Sequence, residues 1–339
     1  MFRAAYCGHH KTVTSRKKNF MQADLVQAER HTGHAQIAAT PVTQRAAPEW
    51  PTALLLCLTA VLWLAALALP AGWGVLALGM LVFALTLHSS LSHEILHGHP
   101  FKSDTACTLL GLFQPGLYVP YLRFKVLHLA HHQDSRLTDP YDDPESNFLD
   151  PKVWDGLALW HRAVLRFNNT LLGRMVIGPL IGTLCFIRSD LRLIGQGHRD
   201  VALHWLLHLP GVLVTLWLVN LSALPVWTYL LACYLALSVL KIRTFLEHQA
   251  HERASGRSVV IEDRGLLALL FLNNNFHVVH HMYPHVAWYR LPALYRSQRD
   301  RFLRRNHGYV FASYAEIFRK FLLRSKDPVA HPLWQARDE

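Results

Sequence analysis

PTALLLCLTAVLWLAALAL, residues 51–69, contains no charged side chain, and nineteen residues at about 1.5 Å each cover a hydrocarbon core of roughly 30 Å. Length and composition together predict a transmembrane helix. Pro70, Ala71 and Gly72 then punctuate the chain, and a second uncharged run over residues 73–88 continues as SSLSHE, which predicts a helical hairpin. A second hairpin is expected over residues 201–241, where ALHWLLHLPGVLVTLWLVN and VWTYLLACYLALSVLK flank a break at residues 221–225. The expected spans are residues 51–69, 73–92, 202–220 and 225–241. Two other apolar stretches, residues 104–121 and 172–187, are short and broken by Gly, Pro or Arg174; such stretches are more often buried, re-entrant or interfacial than spanning.

Around these runs the composition is that of a membrane protein: 51% of the 339 residues are hydrophobic. The expected fold class is all-α integral membrane, with about four transmembrane helices in two hairpins under a cytoplasmic helical cap. Three regions follow: a basic N-terminal tail (1–49), a membrane domain (50–300) and a cytoplasmic C-terminal tail (301–339). Four spans put both termini, the long connection after residue 93 and the tail on one side. The N-terminal tail carries Arg3, Lys11, Arg16, Lys17, Lys18, Arg30 and Arg45 against Asp24, Glu29 and Glu49, so the positive-inside rule makes that side the cytoplasm. In a bacterium the membrane would be the inner one. The net charge of +11 is then explained by topology and an anionic leaflet, without a nucleic-acid partner. The five cysteines, Cys7, Cys57, Cys107, Cys185 and Cys233, show no disulfide or CxxC spacing. The first fifty residues are not a secretory signal, and Met21 is an alternative start.

The open ends of the hairpins lead into histidines. His93 and His97 lie in SHEILHGHP, His128, His131 and His132 in HLAHH, and His277, His280 and His281 in HVVHH. Spacings of i, i+3 or i, i+4 put each set on one face if the segments are helical. Eight imidazoles exceed one coordination sphere and most naturally fill two, so the chain reads as a two-metal site. Neutral rings at that density would repel on protonation, and metal holds them together. His93-Glu94-Ile95-Leu96-His97 is also an HExxH, which in a zinc protease makes Glu94 the general base. That reading leaves two HxxHH sets unemployed. A metal transporter would hold ligands near mid-span, whereas these boxes lie at or beyond span ends. His9, His10, His31, His34, His161, His198, His307 and His331 read as ordinary surface or core residues.

The order of an HExxHGHP box at a hairpin end, an HxxHH box about thirty residues later, a second hairpin, the pair Glu247-His248 and a final NNNFHVVHH resembles the membrane fatty acid desaturase and hydroxylase superfamily. The likeness covers most of residues 50–300. LTDPYDDPES (137–146) and HVAWYRLPALYR (285–296) are similar to its bacterial branch. The resemblance implies two iron ions held mainly by histidine, with O2 as co-substrate and two electrons used against an unactivated C–H bond. Carried over, the eight box histidines are ligands and His248 is the ninth, with His251, three residues further along the same possible helix, as a competitor. Where some members have a helping asparagine this chain has Thr244; Asn274 or Asn275 is a candidate substitute. Glu94, Glu247 and Asp142 are candidates to accept the outward ring N–H of a ligand, as Asp139, Asp143 and Glu145 also are. No side chain can remove hydrogen from a saturated methylene, so a bound redox group must, while the protein supplies position and excludes water.

The expected activity is desaturation of an acyl chain from the membrane. Hydroxylation or ketolation of a carotenoid or alkane, and desaturation of a small metabolite, share the same boxes. No flavin or haem domain is legible, so the electron donor is expected to be a separate protein such as a ferredoxin or cytochrome.

Overall fold

The computed structural model describes residues 49–334. Apart from Glu49, the tail expected over residues 1–49, with Cys7, Met21, His9, His10, His31 and His34, lies outside the described residues.

Helix α1 (Trp50–Leu67) begins with Pro51 in its first turn, where a missing N–H costs nothing, and carries no charge. Leu54, Leu58, Val61 and Leu64 are exposed along one side, a surface that lipid covers in a spanning helix, while Thr52, Thr59, Trp63 and Ala66 are buried. A short 3-10 turn (Ala71–Trp73) reverses the chain into α2 (Gly74–Leu96). Among the described residues, four helices are long and apolar enough to cross a membrane: Trp50–Leu67, Ala71–Leu96, Arg199–Leu221 and Val226–Thr244. The second and fourth reach further than the sequence suggests, to Leu96 and Thr244 rather than 92 and 241, because polar residues at helix ends need water, not a helix stop.

After α2 come α3 (Asp104–Gly111), capped by Ser103 Oγ on the Ala106 N–H (3.2 Å), and α4 (Tyr121–His131). The short helices α5 (Pro151–Asp155), α6 (Leu159–Asn168) and α7 (Leu171–Val176) precede α8 (Gly178–Gly195). The stretch 172–187 expected to be broken is therefore two helices split at Ile177. Helix α8 is as long as a span, but Arg188, Asp190 and Arg192 put three charges in its second half. Its Asp190 is buried and takes a bidentate pair from Arg123 of α4 (2.9 and 2.9 Å).

Helices α9 (Arg199–Leu221, with Pro210 inside) and α10 (Val226–Thr244) form the second hairpin. Only Val201, His208, Thr215 and Val219 of α9 are buried, whereas more than half of α10 is, so α9 is peripheral and α10 central. Small side chains, Ala77 and Ala84 of α2 with Ala232, Cys233 and Ala236 of α10, let the central helices approach closely inside one cluster. Trp63 Nε1 donates to Tyr229 Oη (2.9 Å), which donates to the Pro115 carbonyl (2.8 Å), so the polar groups buried there are satisfied.

Beyond α10 the cap contains β1 (Val260–Ile261), α11 (Leu266–Leu270), α12 (His277–Met282), α13 (Leu291–Ser297), α14 (Arg299–Arg305), β2 (Val310–Phe311), paired parallel with β1, and α15 (Tyr314–Phe321). Residues after 300, expected as a tail, pack into this body: Phe302, Tyr314 and Ile317 are buried in its clusters.

Candidate metal centre

Each histidine box is delivered by the end of a helix. His93 occupies the last turn of α2 and His97 its C-cap; His128 and His131 close α4 with His132 as C-cap; HVVHH is nearly all of α12. Helix ends suit this task because the macrodipole favours electron-poor groups at the C-terminus, where a cation belongs.

The nine expected nitrogen donors gather into two groups. His93, His97, His128, His132 and His280 form one, and His131, His248, His277 and His281 the other; within each, the candidate ligand atoms lie within 4.8 Å of one another. In the first group the Nε2 atoms of His132 and His128 are 2.9 Å apart and those of His280 and His132 3.2 Å. In the second, His248 Nε2 lies 2.9 Å from His131 Nε2 and 3.0 Å from His277 Nε2, with His281 Nε2 3.2 Å from the latter. Two nitrogens about 2.1 Å from one ion and at right angles are separated by about 3.0 Å, so the donor edges already have coordination length. Nε2 of His93 and of His97 are buried with no hydrogen-bond partner among the described residues, lone pairs that a cation would satisfy. The donor set fits a transition-metal ion in each group.

The outward faces of the rings are anchored. His128 Nδ1 donates to Glu145 Oε1 (3.0 Å) and His131 Nδ1 to Asp143 Oδ1 (2.8 Å), which fixes the tautomer and turns Nε2 inward. His277 Nδ1 donates to Asn274 Oδ1 (3.2 Å); Asn274 Nδ2 in turn donates to Glu247 Oε1 (3.2 Å), which pairs with Arg243 at 3.0 Å. Ser258 Oγ lies 3.3 Å from His248 Nδ1. Glu94 accepts the backbone N–H of Trp288 (3.1 Å), and its other oxygen is 3.7 Å from His93 Nδ1.

Burial, then repulsion from neighbouring rings, holds His97, His132, His248, His277 and His280 well below the ordinary imidazole pKa, the neutral form a metal requires. His128 is also lowered by burial, with Glu145 opposing. His131 goes the other way: burial disfavours its charge, but Asp143 and Glu145 outweigh that and push it up to about 9. Burial raises Glu145, yet His131 and His128 outweigh it and hold the carboxyl well below the usual range.

Several expected positions lie elsewhere. His251 is not on a helix with His248: the chain leaves α10 into irregular structure in which His248 bridges to Ser258, and the His251 ring stacks on His307 at 4.8 Å, outside both groups. Asn275 spends its amide on the carbonyls of Ile261 (2.6 Å) and Asp263 (3.1 Å), so it braces the chain behind α12. Asp142 gives its backbone N–H to Asp139, while the rings meet Asp143 and Glu145 instead. Thr244 Oγ1 is buried without a partner among the described residues. Ser258 and Arg243 carry no sequence signal that singles them out.

Between α2, α4 and α10, a mainly apolar cavity of about 70 Å³ is lined by Val119, Phe124, Leu237 and Leu240, with Lys241 and Arg243 also on its wall. The Phe124 ring stands 5.6 Å from that of His128, so one side chain separates the cavity from the first histidine group. Among curated proteins, no match to the chain is found. The family model described as fatty acid desaturase does match, over residues 67–313, a stretch that holds all three boxes, and the chain belongs to that family.

Proposed function

We propose that the protein is a membrane diiron oxidoreductase that uses O2 and two electrons to introduce a double bond into an acyl chain. Family membership supports an oxidoreductase of the desaturase and hydroxylase type acting on a lipid. The observation that carries the finer reading is the pair of buried imidazole groups, the first of them one side chain, Phe124, from a mainly apolar cavity. Two iron ions, one in each group, would supply the oxidising power that no side chain has.

The chain's own residues do the rest. Leu237, Leu240 and Phe124 shed water from around an alkyl chain, and the cavity wall positions a methylene against the first group. Asp143, Glu145 and Asn274 keep the rings oriented and their Nε2 lone pairs directed inward. Two hydrogens leave the substrate, and with two electrons and two protons O2 goes to two waters. The electrons come from a separate carrier protein, and the positive-inside rule puts the cap in the cytoplasm.

The test is expression in a host with a compatible electron donor, followed by mass spectrometry of its lipids and pigments. Loss of two hydrogens from an acyl chain supports the reading. Gain of one oxygen makes the protein a hydroxylase, and one zinc per chain with loss of function in Glu94→Gln makes it a protease.

A further inference from the structure

The family match ends at residue 313, but the chain returns to the metal centre after it. Beyond α15, residues 325–334 run as an irregular strap over the cap. Ser325 bridges Thr170 and Ala330 bridges Leu149, with Leu149 N–H donating to Val329 O (2.9 Å) and His331 N–H to Leu149 O (2.8 Å). The His331 Nε2 lies 3.2 Å from Thr138 Oγ1, and Thr138 N–H donates to Asp143 Oδ2 (2.9 Å). The strap thus clamps both ends of the loop that carries Asp143 and Glu145.

Its second attachment is to a candidate ligand. Lys326 Nζ donates to the backbone carbonyl of His248, lies 3.5 Å from Tyr309 Oη, and pairs with Asp327 at 3.1 Å. His131, His277 and His281 are held by helices α4 and α12, but His248 sits on irregular chain, where backbone geometry does not fix a side chain. That stretch is also held by Val259 N–H to Glu247 O (3.1 Å), Gln249 N–H to Arg257 O (3.0 Å), Tyr309 Oη to Leu246 O (2.8 Å) and Ser258 Oγ at 3.3 Å from His248 Nδ1, while Lys326 is the contact on the His248 carbonyl itself. Beneath the strap a polar cavity of about 30 Å³ is lined by His131, His248, Asp143, Glu145 and Lys326, so lifting the strap admits water to this group.

We propose that the strap, acting through Lys326 on the His248 backbone and through His331 on the acidic loop, is the positioning element of the second histidine group. The first group meets the clamped loop at one ring, His128 against Glu145 (3.0 Å), and its rings sit on α2, α4 and α12 or at their ends. This inference rests on the diiron reading for its metal readout and on the fold alone for its second readout.

The test uses full-length protein purified in detergent, with Lys326→Met, Lys326→Arg and a truncation after Ser325. Iron per chain, the EPR spectrum of the oxidised protein, and hydrogen exchange of residues 246–258 are measured. Lys326→Met and the truncation are expected to hold about half the wild-type iron, to show an uncoupled high-spin ferric signal, and to exchange faster over residues 246–258. Lys326→Arg retains the donor and is expected to match wild type. Full iron and unchanged exchange in Lys326→Met overturn the proposal, as does equal loss from both groups, which marks general collapse. If the wild-type protein takes up no iron, the diiron reading fails separately. The strap is then judged by exchange alone: faster exchange in Lys326→Met upholds it, and unchanged exchange removes it.

Discussion

His131 and His280 belong to different groups and come from different helices, so their removal probes the two halves of the centre separately. Neither supports a membrane span. His131→Ala and His280→Ala are each expected to abolish turnover and lower iron content, while the protein still fractionates with the membrane; activity retained in both contradicts the ligand assignment. Protonation gives a second handle, in the metal-free protein. His97, His132, His248, His277 and His280 have folded pKa values below the unfolded value of about 6.5, so the unfolded chain binds more protons. Their contribution to stability is present above that pH and is lost as pH falls below it. His131, raised to about 9, acts oppositely, stabilising at low pH and ceasing to do so as pH rises through 9. With His128, also lowered, six rings outnumber the one raised ring. The metal-free protein should therefore melt at lower temperature at pH ~5 than at pH ~7, and iron loading should shrink the difference. A flat apo profile in scanning calorimetry would count against neutral, buried boxes. The box histidines were legible because helical spacing is local information. The choice of Asp143 and Glu145 over Asp142 was not: it is set by a turn in which Asp143 Oδ2 caps Thr138 and Asp143 Oδ1 accepts Glu145 N–H.

Helix α4 and its C-cap carry three candidate ligands, and its placement depends on the Arg123–Asp190 pair that joins it to α8, with Trp205 Nε1 of α9 also donating to Asp190 (2.9 Å). Both charges are buried, so removing one partner leaves the other uncompensated in a medium of low dielectric constant. Asp190→Ala is expected to cost about 3–5 kcal/mol and to loosen iron binding through α4. The double variant Arg123→Met with Asp190→Leu should recover much of that stability, since an apolar pair leaves no orphan charge. A single variant as stable as wild type, in thermal melts of the detergent-solubilised protein, would show that α4 is placed by other contacts. At this scale hydropathy revealed the four spans, since each contains a long, predominantly apolar run. It did not reveal that α8 is a continuous helix, because Gly178 and Pro179 read as breakers but sit in its first turn, where Pro is tolerated.

Across the whole molecule, one face of the membrane domain is tied together. Glu49 donates its N–H to Pro100 O (3.0 Å) and its carboxylate meets His99 Nδ1, while Trp288 Nε1 of the cap donates to Thr52 Oγ1 (3.2 Å). The start of α1, the end of α2 and the third box region therefore lie on one side. The turns inside the two hairpins, residues 68–73 and 222–225, contain no Lys or Arg. The cap side carries Arg290, Arg296, Arg299 and Arg304 as exposed cations. Short loops with that asymmetry orient a membrane protein, and holding guanidinium groups out of the translocated side favours the cap in the cytoplasm. Reporter fusions check this without reference to catalysis. A fluorescent protein that matures only in the cytoplasm should shine at either terminus, and a phosphatase that folds only outside should be active in the 68–73 and 222–225 loops. The reverse pattern would place the histidine groups away from cytoplasmic electron carriers, and the proposed oxidation would then need a donor on the other face.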